Sequence, residues 1–151
     1  MGFAPLSLKA RALRLLAQRE HSRSELASKL ARHVQEGDDL PALLDWLQAH
    51  DFINAERVAQ SVLHRRAPRL GARRVLQELR SKGLDEELVR AAGRQLADSE
   101  LERARGVWLQ RFGPNAAATL QERARQMRFL ATRGFDADIV RRVVRGDPDA
   151  D

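Results

Sequence analysis

The sequence predicts an all-α protein of three tandem three-helix repeats, which together form an elongated, curved molecule. Apolar residues recur with the helical period along the 151 residues, and no segment alternates β-branched residues as strands do. The pattern LRSKGLDEELVRA (residues 79–91) also returns without a gap as LATRGFDADIVRR (residues 130–142). A repeat of about 50 residues buries little core alone, so neighbouring repeats are expected to stack.

The first repeat is predicted to span residues 1–53. Its first helix covers residues 8–19. Ser22 and Glu25 have the spacing of a capping box, which opens the second helix. Pro41 occupies the first turn of the third helix, where its missing amide proton costs nothing.

The second and third repeats are predicted to span residues 54–97 and 98–151. In the second repeat, the break at Ala67-Pro68 separates two apolar stripes, and a new helix follows Gly71. In the third repeat, the middle helix is expected to bury an apolar stripe made of Leu120, Ala124, Met127 and Ala131.

The recurring pattern describes a corner between the second and third helices of a repeat. Gly83 and Gly134 are expected to adopt the left-handed conformation that closes a helix without steric cost. Asp85 and Asp136 follow, where a side chain accepts from the free amides of the next helix. The first repeat has Asp51 at its corner, and aspartate is one of the few other residues that tolerate this conformation.

Composition excludes several classes of protein. The chain is 43% hydrophobic and 32% charged, as is typical of folded soluble proteins. No apolar run approaches the ~20 residues that cross a bilayer, and no secretory signal opens the chain. Cysteine is absent, which excludes disulfides and thiol catalysis. We therefore expect a cytoplasmic protein without a membrane partner.

No pattern of catalytic or cofactor-binding residues is present. The four histidines, at positions 21, 33, 50 and 64, form no HxxxH pair for a metal. Neither a GxxxxGK[ST] loop nor a GxGxxG turn after a strand occurs. Most aromatic residues fall on apolar stripes or corners, where they are expected to pack. The sequence thus predicts no catalytic, metal or cofactor site, and a protein that is not an enzyme.

Positive charge is concentrated in the second and third repeats. The net charge is +6, and residues 57–82 carry eight basic groups against one acid, Glu78. Such a surplus attracts polyanions, although a solvated arginine-rich surface has the same composition. The residues expected to bind a polyanion are Arg65, Arg66, Arg69, Arg73, Arg74, Arg80 and Lys82 in the second repeat, and Arg125, Arg128 and Arg133 in the third.

Three segments carry motifs of a known family: DFINAERVA (residues 51–59), GARRVLQELRSKGL (residues 71–84) and LRLLAQREHSRSELASKL (residues 13–30). They resemble the RecX family, bacterial regulators of the RecA recombinase. DFINAERVA (residues 51–59) is similar to the family pattern Gly-Tyr/Phe-Ile/Leu-Asp-Asp-x-Arg-Phe-Ala. GARRVLQELRSKGL (residues 71–84) is similar to Gly-x-x-Arg-Ile-x-x-Glu-Leu-x-x-Lys-Gly-Ile/Val, and LRLLAQREHSRSELASKL (residues 13–30) to the family's opening. Asp51 replaces a glycine, and Asn54-Ala55 replaces paired aspartates. These departures affect the corner after the first repeat more than the basic surface.

The resemblance implies three three-helix repeats and a negative regulator of RecA. Such a protein binds along the groove of the RecA–DNA filament, inhibits ATP hydrolysis and strand exchange, and modulates recombination and the SOS response. Weak, salt-dependent binding to single- or double-stranded DNA is also implied. Two alternatives stay open from the residues: a helix-turn-helix transcription regulator acting on duplex DNA alone, and a helical scaffold for an acidic protein.

Overall fold

A computed structural model describes residues 5–114 and 117–146, so the ends of the first and third predicted repeats lie outside the described residues. The described chain forms nine α-helices, a 3₁₀ segment (Ala31–His33) and no strand, which confirms the all-α class. The helices are α1 (Leu8–Gln18), α2 (Arg23–Leu30), α3 (Leu40–Ala49), α4 (Ala55–Arg66), α5 (Ala72–Ser81), α6 (Glu86–Ala97), α7 (Glu100–Phe112), α8 (Leu120–Thr132) and α9 (Ala137–Arg145).

Each successive group of three helices encloses its own hydrophobic core. We call these groups the first unit (α1–α3), the second unit (α4–α6) and the third unit (α7–α9). Their cores are centred on Leu26 and Leu47, on Val75 and Leu79, and on Leu130 and Phe135, respectively. The three small cores do not merge, which agrees with a body built from successive units.

Local signals place the helix ends as expected. Ser22 and Glu25 form both hydrogen bonds of the capping box at the start of α2. Pro41 lies in the first turn of α3, and the Asp85 side chain accepts from the Leu88 amide at the start of α6. Asp136 has the extended backbone of an N-cap, but its side chain accepts no hydrogen bond from α9.

The corners have the predicted backbone and a second use that the sequence did not show. Gly83, Gly134 and Asp51 have φ values of 78°, 95° and 63°. The Gly134 corner receives the start of α5: the Gly71 amide donates to the Arg133 carbonyl at 2.8 Å, and the Arg73 amide to the Gly134 carbonyl at 3.1 Å. We call this contact the second joint.

The Gly83 corner receives the start of α2 in the same way, and we call this contact the first joint. The Ser22 hydroxyl donates to the Lys82 carbonyl at 2.6 Å, and a β-carbon on Gly83 would lie 2.8 Å from that of Ser24. Glycine is thus required at both corners for close approach as well as for φ. At the corner of the first unit, the Asp51 side chain is 70% exposed and pairs with Arg57 of the second unit at 2.8 Å.

Arg103 and Glu100 stabilise the second joint from inside. The Arg103 guanidinium donates to the Ala67 and Leu70 carbonyls, both at 2.8 Å, and to Glu100 at 2.5 Å. The other Glu100 oxygen accepts from the Ala72 amide at 3.1 Å. The pair therefore satisfies free carbonyls after α4 and a free amide at the start of α5.

The apolar stripe predicted for α8 is wrong at two of its four residues, although Met127 packs against the third core. Leu120 is 79% exposed and Ala131 is exposed, although both were expected inside α8. The buried face of α8 instead contains Leu130 and Gln126. Burial of Gln126 is possible because its amide oxygen accepts a hydrogen bond from the Trp108 indole at 2.8 Å.

Candidate polyanion-binding surface

The amphipathic pattern of α5 directs its arginines outward. Val75 and Leu79 are fully buried in the second core. Since α5 has a single buried stripe, Arg73 and Arg80 lie on its exposed side. The remaining cations of the second unit follow at the end of α4 and in the connection to α5, where Arg65, Arg66 and Arg69 are also exposed.

Five of the predicted cations keep their guanidinium groups available. Within residues 5–114 and 117–146, no ion pair or hydrogen bond occupies these side chains, and all five are exposed. They are Arg65, Arg69 and Arg73 in the second unit, and Arg125 and Arg128 on α8. Apart from desolvation, these guanidinium groups give up no existing ion pair or hydrogen bond when they bind an anion.

Arg66 and Arg80 form surface ion pairs. Arg66 lies 3.2 Å from Glu78, and Arg80 lies 2.8 Å from Glu86. The two arginine side chains are 45% and 53% exposed, respectively. Exposed pairs of this kind contribute about 0–1 kcal/mol. An external phosphate or carboxylate can therefore replace the internal partner.

The structure places Lys82 and Arg74 in the joints. Lys82 lies 3.2 Å from Glu25, and its side chain is only 13% exposed. Arg74 donates to the Thr132 carbonyl at 3.1 Å and packs against Gly134. Both residues join one unit to the next; Lys82 is paired with a carboxylate, whereas Arg74 is exposed and donates to a neutral carbonyl, so it keeps its positive charge.

Arg69 and Arg133 meet in a cleft of about 340 Å³ between the second and third units, which we call the joint cleft. Arg111, at the end of α7, lines it as well. The Arg133 guanidinium lies 4.9 Å from the centre of the Phe129 ring, and Arg111 lies 5.8 Å from it. Phe129 in turn packs edge-to-face on Phe112 at 5.2 Å. Two cations thus lie near one aromatic ring, and Arg69 adds a third positive charge to the lining of the cleft.

The chemistry of the joint cleft suits an oxyanion. Guanidinium groups bind phosphate or carboxylate through two parallel hydrogen bonds. Stacking on an aromatic ring holds a guanidinium plane in a defined direction. Sequence reasoning missed Arg111, which belongs to no motif. Its only sequence signal is the basic excess of residues 103–145, ten basic groups against three acids.

The described residues offer neither a metal-binding cluster nor a membrane-spanning helix. Among the described residues, no three His, Asp or Glu side chains converge in a way that would hold a metal ion. Over the same residues, every helix is too short or too polar to pass through a lipid bilayer.

Comparison with known families finds three matches along the chain. Residues 9–38, 54–92 and 98–144 match the family models described as the first, second and third three-helix domains of RecX. The matched stretches cover most of the chain.

Curated proteins and solved structures agree with this result. Proteins named "Regulatory protein RecX" are 51% identical over 140 residues in Leptothrix cholodnii and 47% identical over 142 residues in Ralstonia nicotianae. The alignments cover 93% and 94% of this chain and 88% and 89% of those proteins. The crystal structure of RecX from Lactobacillus salivarius superposes with a TM-score of 0.75 at 20% identity, over 92% of this chain and 93% of that one. At that identity, the likeness shows the fold.

Proposed function

The chain belongs to the RecX family, and on this premise we propose that it is a negative regulator of RecA. It binds along the groove of the RecA–DNA filament and inhibits ATP hydrolysis and strand exchange, which modulates recombination and the SOS response in the cytoplasm. The observation that carries the proposal is the near-full-length similarity to proteins named as RecX regulators. It acts by binding and not by catalysis.

The exposed arginines are the proposed contact residues. Arg65, Arg69 and Arg73 present unpaired guanidinium groups, and Arg125 and Arg128 extend the surface along α8. The joint cleft adds Arg111 and Arg133. These groups bind RecA carboxylates or DNA phosphates, with Arg66 and Arg80 exchanging their surface partners. Arg74 and Lys82 contribute by fixing the angles between units.

The decisive measurement is the DNA-dependent ATPase of RecA, with and without this protein, across a salt series. The variant Arg69→Glu/Arg73→Glu is expected to lose inhibition by about tenfold or more, because two attractive charges become repulsive. Arg90→Glu/Arg94→Glu is the matched control. It reverses two exposed arginines of the same unit, so both variants change the net charge from +6 to +2. Equal loss in both variants would show a general charge effect and refute the placement.

The two alternatives predict different behaviour. A helix-turn-helix regulator protects a specific duplex sequence without RecA. A scaffold for an acidic protein binds that protein in a salt-sensitive way and has no affinity for nucleic acid. Footprinting on genomic fragments without RecA distinguishes the first alternative from the proposed function.

A further inference from the structure

The first unit has a cationic cleft of its own, far from the predicted contact residues in sequence. It has a volume of about 360 Å³ and lies between α1, the end of α2 and the 3₁₀ segment. We call it the first-unit cleft. Its cations are Arg11, Arg14, Lys29 and Arg32. Three leucines form its apolar lining: Leu6, Leu15 and Leu30.

The overall charge of residues 1–52 does not reveal the first-unit cleft. Residues 1–52 contain seven basic and seven acidic side chains, so the segment is neutral overall. The fold separates them. Arg19 pairs with Glu25, Arg23 pairs with Asp45, and Lys9 lies over the Trp46 ring. The other four cations all line the first-unit cleft.

Six of the seven acidic side chains in residues 1–52 are engaged elsewhere, and the seventh, Glu36, is exposed and does not line the cleft. Glu20 and Asp51 both pair with Arg57 of the second unit. Asp39 caps α3, and Asp38 accepts from the Gln35 amide. In the described part of the chain, no carboxylate lines the cleft. Four fixed positive charges therefore face it without a counter-charge.

The pKa of His33 responds to this excess of positive charge. His33 lines the cleft, and its pKa is lowered by partial desolvation and by the nearby charges of Arg11 and Arg32. At neutral pH the ring is uncharged and offers one donor and one acceptor. The four cations, and not the histidine, supply the positive charge.

The lining distinguishes between two kinds of polyanion. Leu6 is 40% exposed, and Val34, which follows the 3₁₀ segment, is 41% exposed. A nucleic acid gains from Phe, Tyr or Trp rings on which bases stack, and among the described residues no such side chain lines this cleft. An acidic peptide instead places aliphatic side chains on the leucines and carboxylates on the surrounding cations.

We propose that the first-unit cleft is a docking site for an acidic protein segment in which carboxylates flank a leucine-like side chain. The proposal does not depend on the RecA proposal, because it rests on different residues in a different unit. It adds a second contact surface to the protein, at the opposite end from the third unit in chain order.

Fluorescence anisotropy of the full chain tests the site with three labelled probes. The first is the peptide Asp-Glu-Leu-Asp-Glu-Leu-Asp, the second carries serine in place of both leucines, and the third is a single-stranded oligothymidylate. We expect the leucine peptide to bind about tenfold more tightly than the serine peptide, because two aliphatic side chains leave water. Its affinity should fall as salt rises.

The variant Arg14→Glu/Arg32→Glu is expected to weaken leucine-peptide binding by about tenfold or more. Both side chains are exposed and have no ion pair among the described residues, so the fold should persist, as circular dichroism verifies. Arg90→Glu/Arg94→Glu is the control and should change binding by less than about twofold. Leu6→Ser should weaken the leucine peptide but not the serine peptide.

Three results would overturn the proposal. Equal affinities for the two peptides would remove the role of the leucines. Undiminished binding by Arg14→Glu/Arg32→Glu would place the site elsewhere. Oligothymidylate binding that this variant abolishes, without peptide binding, would assign the cleft to nucleic acid. If the variant fails to fold, Arg14→Gln/Arg32→Gln with Leu6→Ser provides the same comparison.

Discussion

Replacing Gly71 with alanine tests how the second and third units are held together. Gly71 has a φ of −76°, which alanine adopts without strain. A β-carbon at this position would nevertheless lie 2.2 Å from the Gly134 carbonyl carbon and 2.3 Å from the Phe135 amide nitrogen. Both are backbone atoms, so no side-chain rotation relieves the overlap. The start of α5 must move away from the corner.

The cost follows from what that movement breaks. Separation removes the bonds from the Gly71 amide to Arg133 and from the Arg73 amide to Gly134. Each such hydrogen bond contributes about 0.5–1.5 kcal/mol, and overpacking adds about 1–3 kcal/mol. We expect Gly71→Ala to lower the free energy of unfolding by about 2–6 kcal/mol. The loss should spare the first unit, because each unit has its own core and Gly71 contacts the second and third units.

The fluorescence of the two tryptophans reports the unfolding of two units separately. Trp46 lies in the first unit and Trp108 in the third, so Trp46→Phe and Trp108→Phe backgrounds each report one unit. In urea, with an m-value of about 2 kcal/mol/M, the Trp108 transition of Gly71→Ala should shift down by about 1–3 M, while the Trp46 transition moves little. Gly106→Ala is the control. No atom lies within 4 Å of its added β-carbon, so it should be neutral or slightly stabilising.

An unchanged Trp108 midpoint in Gly71→Ala, or an equal loss in Gly106→Ala, would refute the account of the second joint.

Further predictions concern pH, the buried ion pair and the repeat boundaries. Burial, with Arg19 and Lys29 nearby, lowers the pKa of His21 below 6.5, so stability should fall once pH drops below about 6.5 and the unfolded chain takes up the proton. Burial alone would raise the pKa of Glu25, but hydrogen bonds from Arg19, Ser22 and Lys82 lower it from 4.5 to about 2. A further loss of up to about 3 kcal/mol is therefore expected as pH falls from 4.5 to 2, and a flat denaturation-versus-pH curve would contradict both assignments. Arg103→Met should lower the free energy of unfolding by about 3–5 kcal/mol, because Glu100 stays buried and charged without its partner. Thermal melts should show partial recovery of stability in Arg103→Met/Glu100→Gln. If stability does not recover, the argument from the buried charge is wrong. The boundaries at residues 53 and 97 stay a prediction, which fails if limited proteolysis yields no fragments ending near them.

Sequence reasoning succeeded where a signal acts within one helical turn. Ser22 and Glu25 are three residues apart, and the capping box they predict is present. Gly83 and Gly134 were expected in the left-handed conformation because few other residues adopt it, and both have it. The failure at Leu120 has the opposite cause. An isolated apolar stripe does not reveal how far along its length a helix meets its neighbours.

The sequence pattern could not predict which side chains form contacts with residues distant in the chain. Lys82 looked like one more surface cation, but Glu25, 57 positions earlier in the chain, holds it in the first joint at 3.2 Å. Arg103 belongs to no motif, yet it bonds carbonyls more than 30 positions away. Arg111 and Arg69 come from different units and share a cleft only because the second joint sets the angle between those units.

By itself, the sequence determined the helical class, the repeat, the corners and the excess of arginine, because each depends on residue type and short spacing. Tertiary structure alone decided which cations are free, which are bound in joints, and how the neutral first repeat separates its charges into a cationic cleft. The reason is physical: a side chain's partner is whichever group the packing of the units brings within about 3 Å, and spacing along the chain does not carry that information.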